Sequence, residues 1–201
     1  MEASTAERHA HIQLPYVRRA GGPPLRDALS KRASCRSFDT NPLEAQTIAD
    51  LLWAAFGINR PDEGGRTAPS ARNWRKIDIY VALRDGLYRY NPAENRLDFI
   101  AAGDLRAATG VQDFVAEAPL NLVYVADYSK MEGPSEAERD VSAAADAAFT
   151  AQNAHLFCAA EGLATVVRAL IDRTALAKAM GLKGDQHVVL AQSVGRPARE
   201  R

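Results

Sequence analysis

The chain has 201 residues, 47% of them apolar and 25% charged, which is the composition of an ordinary folded domain and excludes a disordered tail. Surface scaling lets a chain of this length bury about 70% of its unfolded surface without covalent staples, and two cysteines, Cys35 and Cys158, are too few for a disulfide framework or a thiolate zinc site. Lys+Arg and Asp+Glu each number 25, and a formal net charge of zero argues against a general nucleic-acid binder or a polybasic membrane-surface protein.

Residues 1–20 read as a polar N-terminal arm and 21–201 as a single domain. The first sixteen residues contain no apolar core of the kind a secretory signal needs, so a soluble, reduced, cytoplasmic setting is expected. Gly21, Gly22, Pro23 and Pro24 make a stop and a start, and a short helix through Leu25, Ala28 and Leu29 follows. Asn41 ahead of Pro42, Leu43 and Glu44 reads as the cap of a second helix, whose apolar positions Ile48, Leu51, Leu52, Ala55 and Phe56 recur at three- and four-residue steps and end near Gly57. Residues 60–76 form a polar loop. Ile77, Ile79 and Val81 then alternate as in a strand, and Gly86 to Tyr90 with Leu97 to Ile100 form a hairpin around Asn91 and Pro92. A helical turn or two covers residues 103–117.

From Leu120 to Ala126 the run is nearly all apolar, which suits a central strand buried on both faces. Ser135 and Glu138 make a capping box that opens the longest helix, about Glu136 to Glu161. Nine alanines between 143 and 160 occupy every side of it, so it needs burial all round, against the sheet and against another helix, of this chain or of a second subunit. Asp146, Gln152, Asn153 and His155 interrupt this stretch, which therefore fails the criterion of about 20 apolar residues for a membrane span. Gly162 ends the helix, Leu163 to Val167 form a strand, Asp172 to Met180 a helix and Val188 to Val194 a last strand. The class is α+β around one core.

Common catalytic motifs are missing: HExxH, GxSxG, GxGxxG and GxxxxGK[ST] do not occur, and His9, His11, His155 and His187 are too scattered for a metal site. The most informative stretch is Arg32-Ala33-Ser34-Cys35-Arg36. If it runs extended, Arg32, Ser34 and Arg36 share one face, and two guanidinium forks with a hydroxyl suit a phosphate. The competing reading is two solvated arginines on a helix end, since i and i+4 also share a helical face. Charge is uneven along the chain as well. Residues 18–36 carry six Lys/Arg against Asp27 alone, and residues 127–146 carry six acids against Lys130 and Arg139.

The segment KRASCRSF followed by PLEAQTIADLLWAAFG resembles the opening of the FMN-dependent nitroreductase superfamily, whose R-x-S-x-R element holds the flavin phosphate and ribityl chain. Three further segments resemble that family in the same order. APSARNW at 68–74 is similar to its P-S-x-x-N loop, EGLATVVRAL at 161–170 to its G-L-x-T segment, and VGRP at 194–197 to its terminal strand. The resemblance implies a central mixed, mainly antiparallel sheet flanked by helices, with the long helix at a homodimer interface and flavin sites shared between subunits. It implies that Arg32, Ser34 and Arg36 bind phosphate and ribityl with Arg196 as a further phosphate partner, and that Pro69, Ser70 and Asn73 line the neighbouring subunit's flavin. It also implies main-chain donors at Ala169 and Leu170.

Three side chains keep two readings at this stage. Asn73 suits a pyrimidine edge or an Asx-turn; Gln112 a ring edge or an exposed helical position; Arg168 a positive charge beside the flavin or a surface salt bridge. Where many relatives carry Gln-Pro after the loop asparagine, this chain has Trp74, Arg75 and Lys76, which alters the substrate side. The compact length and the APSARNW and VYVAD segments are most similar to the SagB-type dehydrogenase branch. What this implies is an FMN oxidoreductase, reduced transiently by NAD(P)H and reoxidised by a nitroaromatic, quinone or similar conjugated acceptor in a ping-pong cycle. No side chain is assigned as catalytic and no metal is expected. The alternatives are a SagB-type dehydrogenase acting on another substrate, a non-catalytic flavin-binding protein and a cofactor-free interaction domain.

Overall fold

The computed structural model describes residues 11–198. In chain order the elements are β1 (His11–Gln13), α1 (Leu25–Lys31), α2 (Ala45–Phe56), β2 (Ile58–Arg60), β3 (Gly65–Arg66), β4 (Ile77–Ala82), β5 (Gly86–Asn91), β6 (Arg96–Ala102), β7 (Leu120–Asp127), α3 (Glu136–Ala160), β8 (Ala164–Arg168), α4 (Arg173–Ala179) and β9 (Gln186–Gly195). Among the described residues, seven strands form one sheet in the order β1-β6-β5-β4-β7-β9-β8, and β2 and β3 form a separate ribbon. The sheet was expected to be mixed and mainly antiparallel; its ladders are antiparallel throughout the described residues.

The unbroken apolar run of β7 follows from its place in this order. It is flanked by β4 and β9 and covered on both faces, so every residue from Leu120 to Ala126 is buried. Leu122 and Tyr124 face α2 and α3 in a core with Leu51, Leu52, Ala147, Ala151 and Cys158. Val123 and Val125 face the other way, against Ile171, Leu176 and Met180 around α4. Leu51 and Leu52 are fully buried, each worth about 2 to 3 kcal/mol by area transferred from water.

α3 opens on the expected capping box: Ser135 Oγ accepts from Glu138 N–H at 3.4 Å and Glu138 Oε2 accepts from Ser135 N–H at 2.8 Å. Its alanines admit α1 and α2 on one side and the sheet on another. A third face, carrying Val141, Ala145 and Phe149, stays exposed in the single chain.

Three boundaries differ from expectation. α2 begins at Ala45 after Glu44, because the Asn41 side chain instead donates to Asp39 Oδ1 at 2.7 Å and closes a local turn. The polar loop 60–76 contains the β2–β3 ribbon and two single-turn 3₁₀ segments, Pro61–Glu63 and Ala71–Asn73. The part of the N-terminal arm after residue 10 contributes β1 to the sheet edge beside β6 and buries Leu14. No helix among the described residues is long and apolar enough to cross a membrane.

Candidate functional site

The chain leaves α1 at Arg32 with φ −57° and ψ 114°, and from there it runs as an extended strap beside β8 and the C-terminal segment. Cys35 N–H donates to Thr165 O at 2.9 Å, Asp39 N–H to Arg196 O at 2.9 Å and Ala198 N–H to Ser37 O at 3.2 Å, with Phe38 bridged to Pro197. His155 of α3 holds the strap from beneath, its Nε2 lying 3.1 Å from Ala33 O; a ring nitrogen bonded to a carbonyl carries the proton. Burial, with Arg32 adding to it, keeps this imidazole below its usual pKa despite the carbonyl.

Extended geometry turns alternate residues to opposite sides. Cys35 packs inward on the cluster of Phe38, Ala118, Ala164 and Val166, while Ser34 and Arg36 are exposed and Arg32 half-buried. The helix-end reading of the arginine pair is thereby excluded. Among the described residues neither the Arg32 nor the Arg36 side chain makes a hydrogen bond or ion pair, so both forks remain available to an anion. Arg196 lies on the same ladder, but its Nη2 is 3.1 Å from Glu44 Oε1 in an exposed pair.

At the far end of β8, about 13 Å along five strand residues, the side chains form a buried polar cluster. Arg168 donates from Nη1 to Thr109 O at 2.7 Å and from Nη2 to Asn121 Oδ1 at 3.1 Å; Ser193 Oγ donates to the same Asn121 oxygen at 2.6 Å. Burial lowers the Arg168 pKa to about 10, and among the described residues no carboxylate answers its charge. The surface salt bridge is thereby ruled out. Gly110 permits this arrangement, since a Cβ there would lie 2.0 Å from Arg168 Nη1. Arg168 Nε and Gln112 Oε1 are both buried without a hydrogen-bond partner among the described residues. Ala169 and Leu170 follow immediately beyond β8, both exposed.

The APSARNW loop lies elsewhere. Ser70 Oγ donates to Asp146 Oδ2 at 2.8 Å and accepts from Arg75 N–H at 2.9 Å, and the buried Lys76 Nζ is paired with the same carboxylate at 2.5 Å. Arg72, Asn73 and Arg75 take left-handed backbone angles, φ 49°, 55° and 51°, so the loop is a tight knot that a buried ion pair holds to α3. Asn73 Oδ1 accepts from Arg75 Nε at 3.1 Å, a side-chain contact where one of the two readings had an Asx-turn. Trp74 lies under Arg72, 5.1 Å from its ring centroid, and under Lys76 at 5.4 Å.

Asp146 and His155, which anchor the loop and the strap, lie nine residues apart on α3. That is about 13 Å along the axis and on opposite sides of the helix. One chain thus brings together Arg32, Ser34, Arg36 and Arg196 on the strap side of the sheet edge, with Gln112, Arg168, Ala169 and Leu170 at the end of β8. It does not bring Pro69, Ser70 and Asn73 to them. The roles of Lys76, Asp146 and His155 went unread in the sequence. The one signal available was that polar groups on a helix apolar all round must find partners. Among the described residues no group of three or more His, Cys, Asp or Glu is placed to hold a metal ion.

Comparison with known proteins bears on the family and the fold. A profile of the nitroreductase family matches residues 29–196. A protein of Methanocaldococcus jannaschii described as a nitroreductase is 32% identical over 174 residues, 77% of this chain and 81% of its own length. The crystal structure of a protein from Ralstonia eutropha described as a nitroreductase superposes with a TM-score of 0.92 at 45% identity, covering 98% of this chain and 93% of the other. A Desulfovibrio desulfuricans protein, described as a nitroreductase and crystallised with FMN, shares the fold at a TM-score of 0.64 and 21% identity, covering 89% of each chain.

Proposed function

Because the chain belongs to the nitroreductase family, we propose that it is an FMN-dependent oxidoreductase that takes electrons from NAD(P)H and passes them to a flat conjugated acceptor, a nitroaromatic or quinone, in a ping-pong cycle. The observation that carries the reading is the strap, where two guanidinium groups without partners among the described residues flank Ser34 on a backbone pinned at Ala33, Cys35 and Ser37. Bound FMN would supply the electron exchange, leaving the protein to bind, orient and shield.

Arg32, Ser34 and Arg36 would hold the phosphate and ribityl groups through charge-assisted hydrogen bonds. Arg196 would join them by giving up its exposed pair with Glu44, which is worth little. The orphaned Gln112 Oε1 would accept an N–H of the ring edge, and Ala169 and Leu170 would present main-chain donors. Arg168 holds a fixed, desolvated positive charge with no counter-ion among the described residues, and such a charge favours negative charge accumulating beside it.

The enzyme would be a homodimer in which Pro69, Ser70 and Asn73 complete the partner's site. Two features support this: the loop sits across α3 from the strap of its own chain, and Pro69, Ala71, Val141 and Phe149 line an exposed, largely apolar groove of about 690 Å³ beside it. Light scattering should give twice the chain mass, and a stable flavin-loaded monomer would overturn the shared site.

A visible spectrum followed by anaerobic stopped-flow reduction tests the function. A yellow protein bleached by NADH or NADPH and recoloured by a nitroaromatic or quinone fits the proposal. A flavin that stays oxidised with both donors removes the nicotinamide step and favours a SagB-type dehydrogenase or a non-catalytic flavin protein; a colourless chain that refuses FMN removes the cofactor.

A further inference from the structure

A cavity of about 230 Å³ lies between α2, the β2–β3 ribbon and strands β4 and β5. None of its lining residues is itself in the set that would hold FMN, and Arg75 touches that set through Ser70 Oγ and Asn73 Oδ1. The cavity has room for several waters and is just below the roughly 300 Å³ at the lower end of ligand pockets, which fits one small ring.

Its charges do not balance. Lys130 is answered by Asp78 at 3.2 Å and Asp127 at 3.8 Å. Among the described residues the Arg75 side chain donates only to neutral acceptors, Asn73 Oδ1 and Glu63 O. Arg66 has Nε and Nη1 buried with no acceptor among the described residues, while its guanidinium lies over the Phe56 ring at 5.3 Å. Burial first, and then the like charge of Arg75, push Arg66 below the usual arginine range, as expected for a cation lacking its anion. The Tyr90 hydroxyl also makes no hydrogen bond among the described residues; burial raises its pKa to about 12, so at neutral pH it is a donor.

A guanidinium fork and a phenol, both donors without acceptors among the described residues, face one space walled by the Phe56 and Trp74 rings. We propose that this cavity binds a small planar monocarboxylate, its carboxylate held by Arg66 and the Tyr90 hydroxyl and its ring laid against Phe56 and Trp74. The fork matches a carboxylate bidentately. Asp78 in the same wall disfavours a doubly charged ligand such as phosphate. Arg75 supplies the second positive charge at the rim.

Isothermal titration of the full chain with sodium benzoate tests this, with benzamide as the neutral shape match and inorganic phosphate as the dianionic control. The expected result is one saturable benzoate site per chain, at least tenfold tighter than for benzamide or phosphate. It should weaken at least tenfold in Arg66→Gln and about threefold in Tyr90→Phe, and hold within twofold when the chain is saturated with FMN. Tyr90→Phe keeps the ring and decides the matter if Arg66→Gln does not fold. No saturable binding, equal binding of benzamide, affinity unchanged in the variants, or competition by FMN would each overturn the proposal.

Discussion

Lys76 and the pair Arg32 and Arg36 carry the same kind of charge, yet the fold treats them in opposite ways. Lys76 is fully buried, its ammonium bound to Asp146 beneath the 68–74 loop. Arg32 and Arg36 stand on a pinned strap, their guanidinium groups with no acceptor among the described residues. A buried cation needs a carboxylate to offset desolvation, and once paired it has nothing left for a ligand. A half-exposed cation on a rigid backbone keeps its donors free at small cost in stability. Arg168 stands between the two cases, buried like Lys76 but held by neutral oxygens, with its charge unanswered among the described residues.

The contrast should show most strongly on its buried side. Asp146→Ala leaves Lys76 without its counter-ion in the interior and should cost about 3 to 5 kcal/mol in chemical denaturation. The double variant Lys76→Met/Asp146→Leu should recover most of that loss, because it removes both charges together. Gly110→Ala comes next. Its new Cβ would meet Arg168 Nη1 and force the guanidinium from Thr109 and Asn121, an overpacking worth about 1 to 3 kcal/mol. Gly184→Ala, where an added Cβ meets nothing within 4 Å, should stay within about 0.5 kcal/mol in the same assay.

The smallest effect is the pH response of His155. Its pKa is lowered in the folded chain, so between the folded value and the unfolded value near 6.5 the unfolded chain binds more protons. The stability this contributes is full above about pH 6.5 and is lost as pH falls through the folded value. Denaturation at pH 7.5 and 5.5 should show a smaller acid loss in His155→Gln than in the unaltered chain.

Local signals in the sequence carried much of the fold and the extended run of the strap in the candidate site. The capping box at Ser135 and Glu138, the doubly buried run of β7 and the alternation around Ser34 all depend on neighbours a few residues away. Asn41 misled because two local uses competed for it, a helix cap and a turn with Asp39, and the turn prevailed. Partners far apart in the chain were not legible. Lys76 meets Asp146 across 70 positions, and Arg168 meets Thr109 and Asn121 across 59 and 47, distances at which spacing and propensity carry no information. For the same reason the sequence could not choose between a charge beside a flavin and a surface salt bridge for Arg168, since it does not show β7 and β9 placing Asn121 and Ser193 beneath it.

Whether the strap arginines are kept free for a phosphate is read out by the FMN affinity of their variants. A charge-assisted hydrogen bond contributes about 1.5 to 3 kcal/mol, so Arg32→Ala and Arg36→Ala should each weaken FMN tenfold or more in a fluorescence titration. Their Tm without FMN should stay within about 2 °C of the unaltered chain. Unchanged FMN affinity in both variants, or a loss of affinity matched by a comparable loss of folding stability, would show that the strap is not the phosphate site.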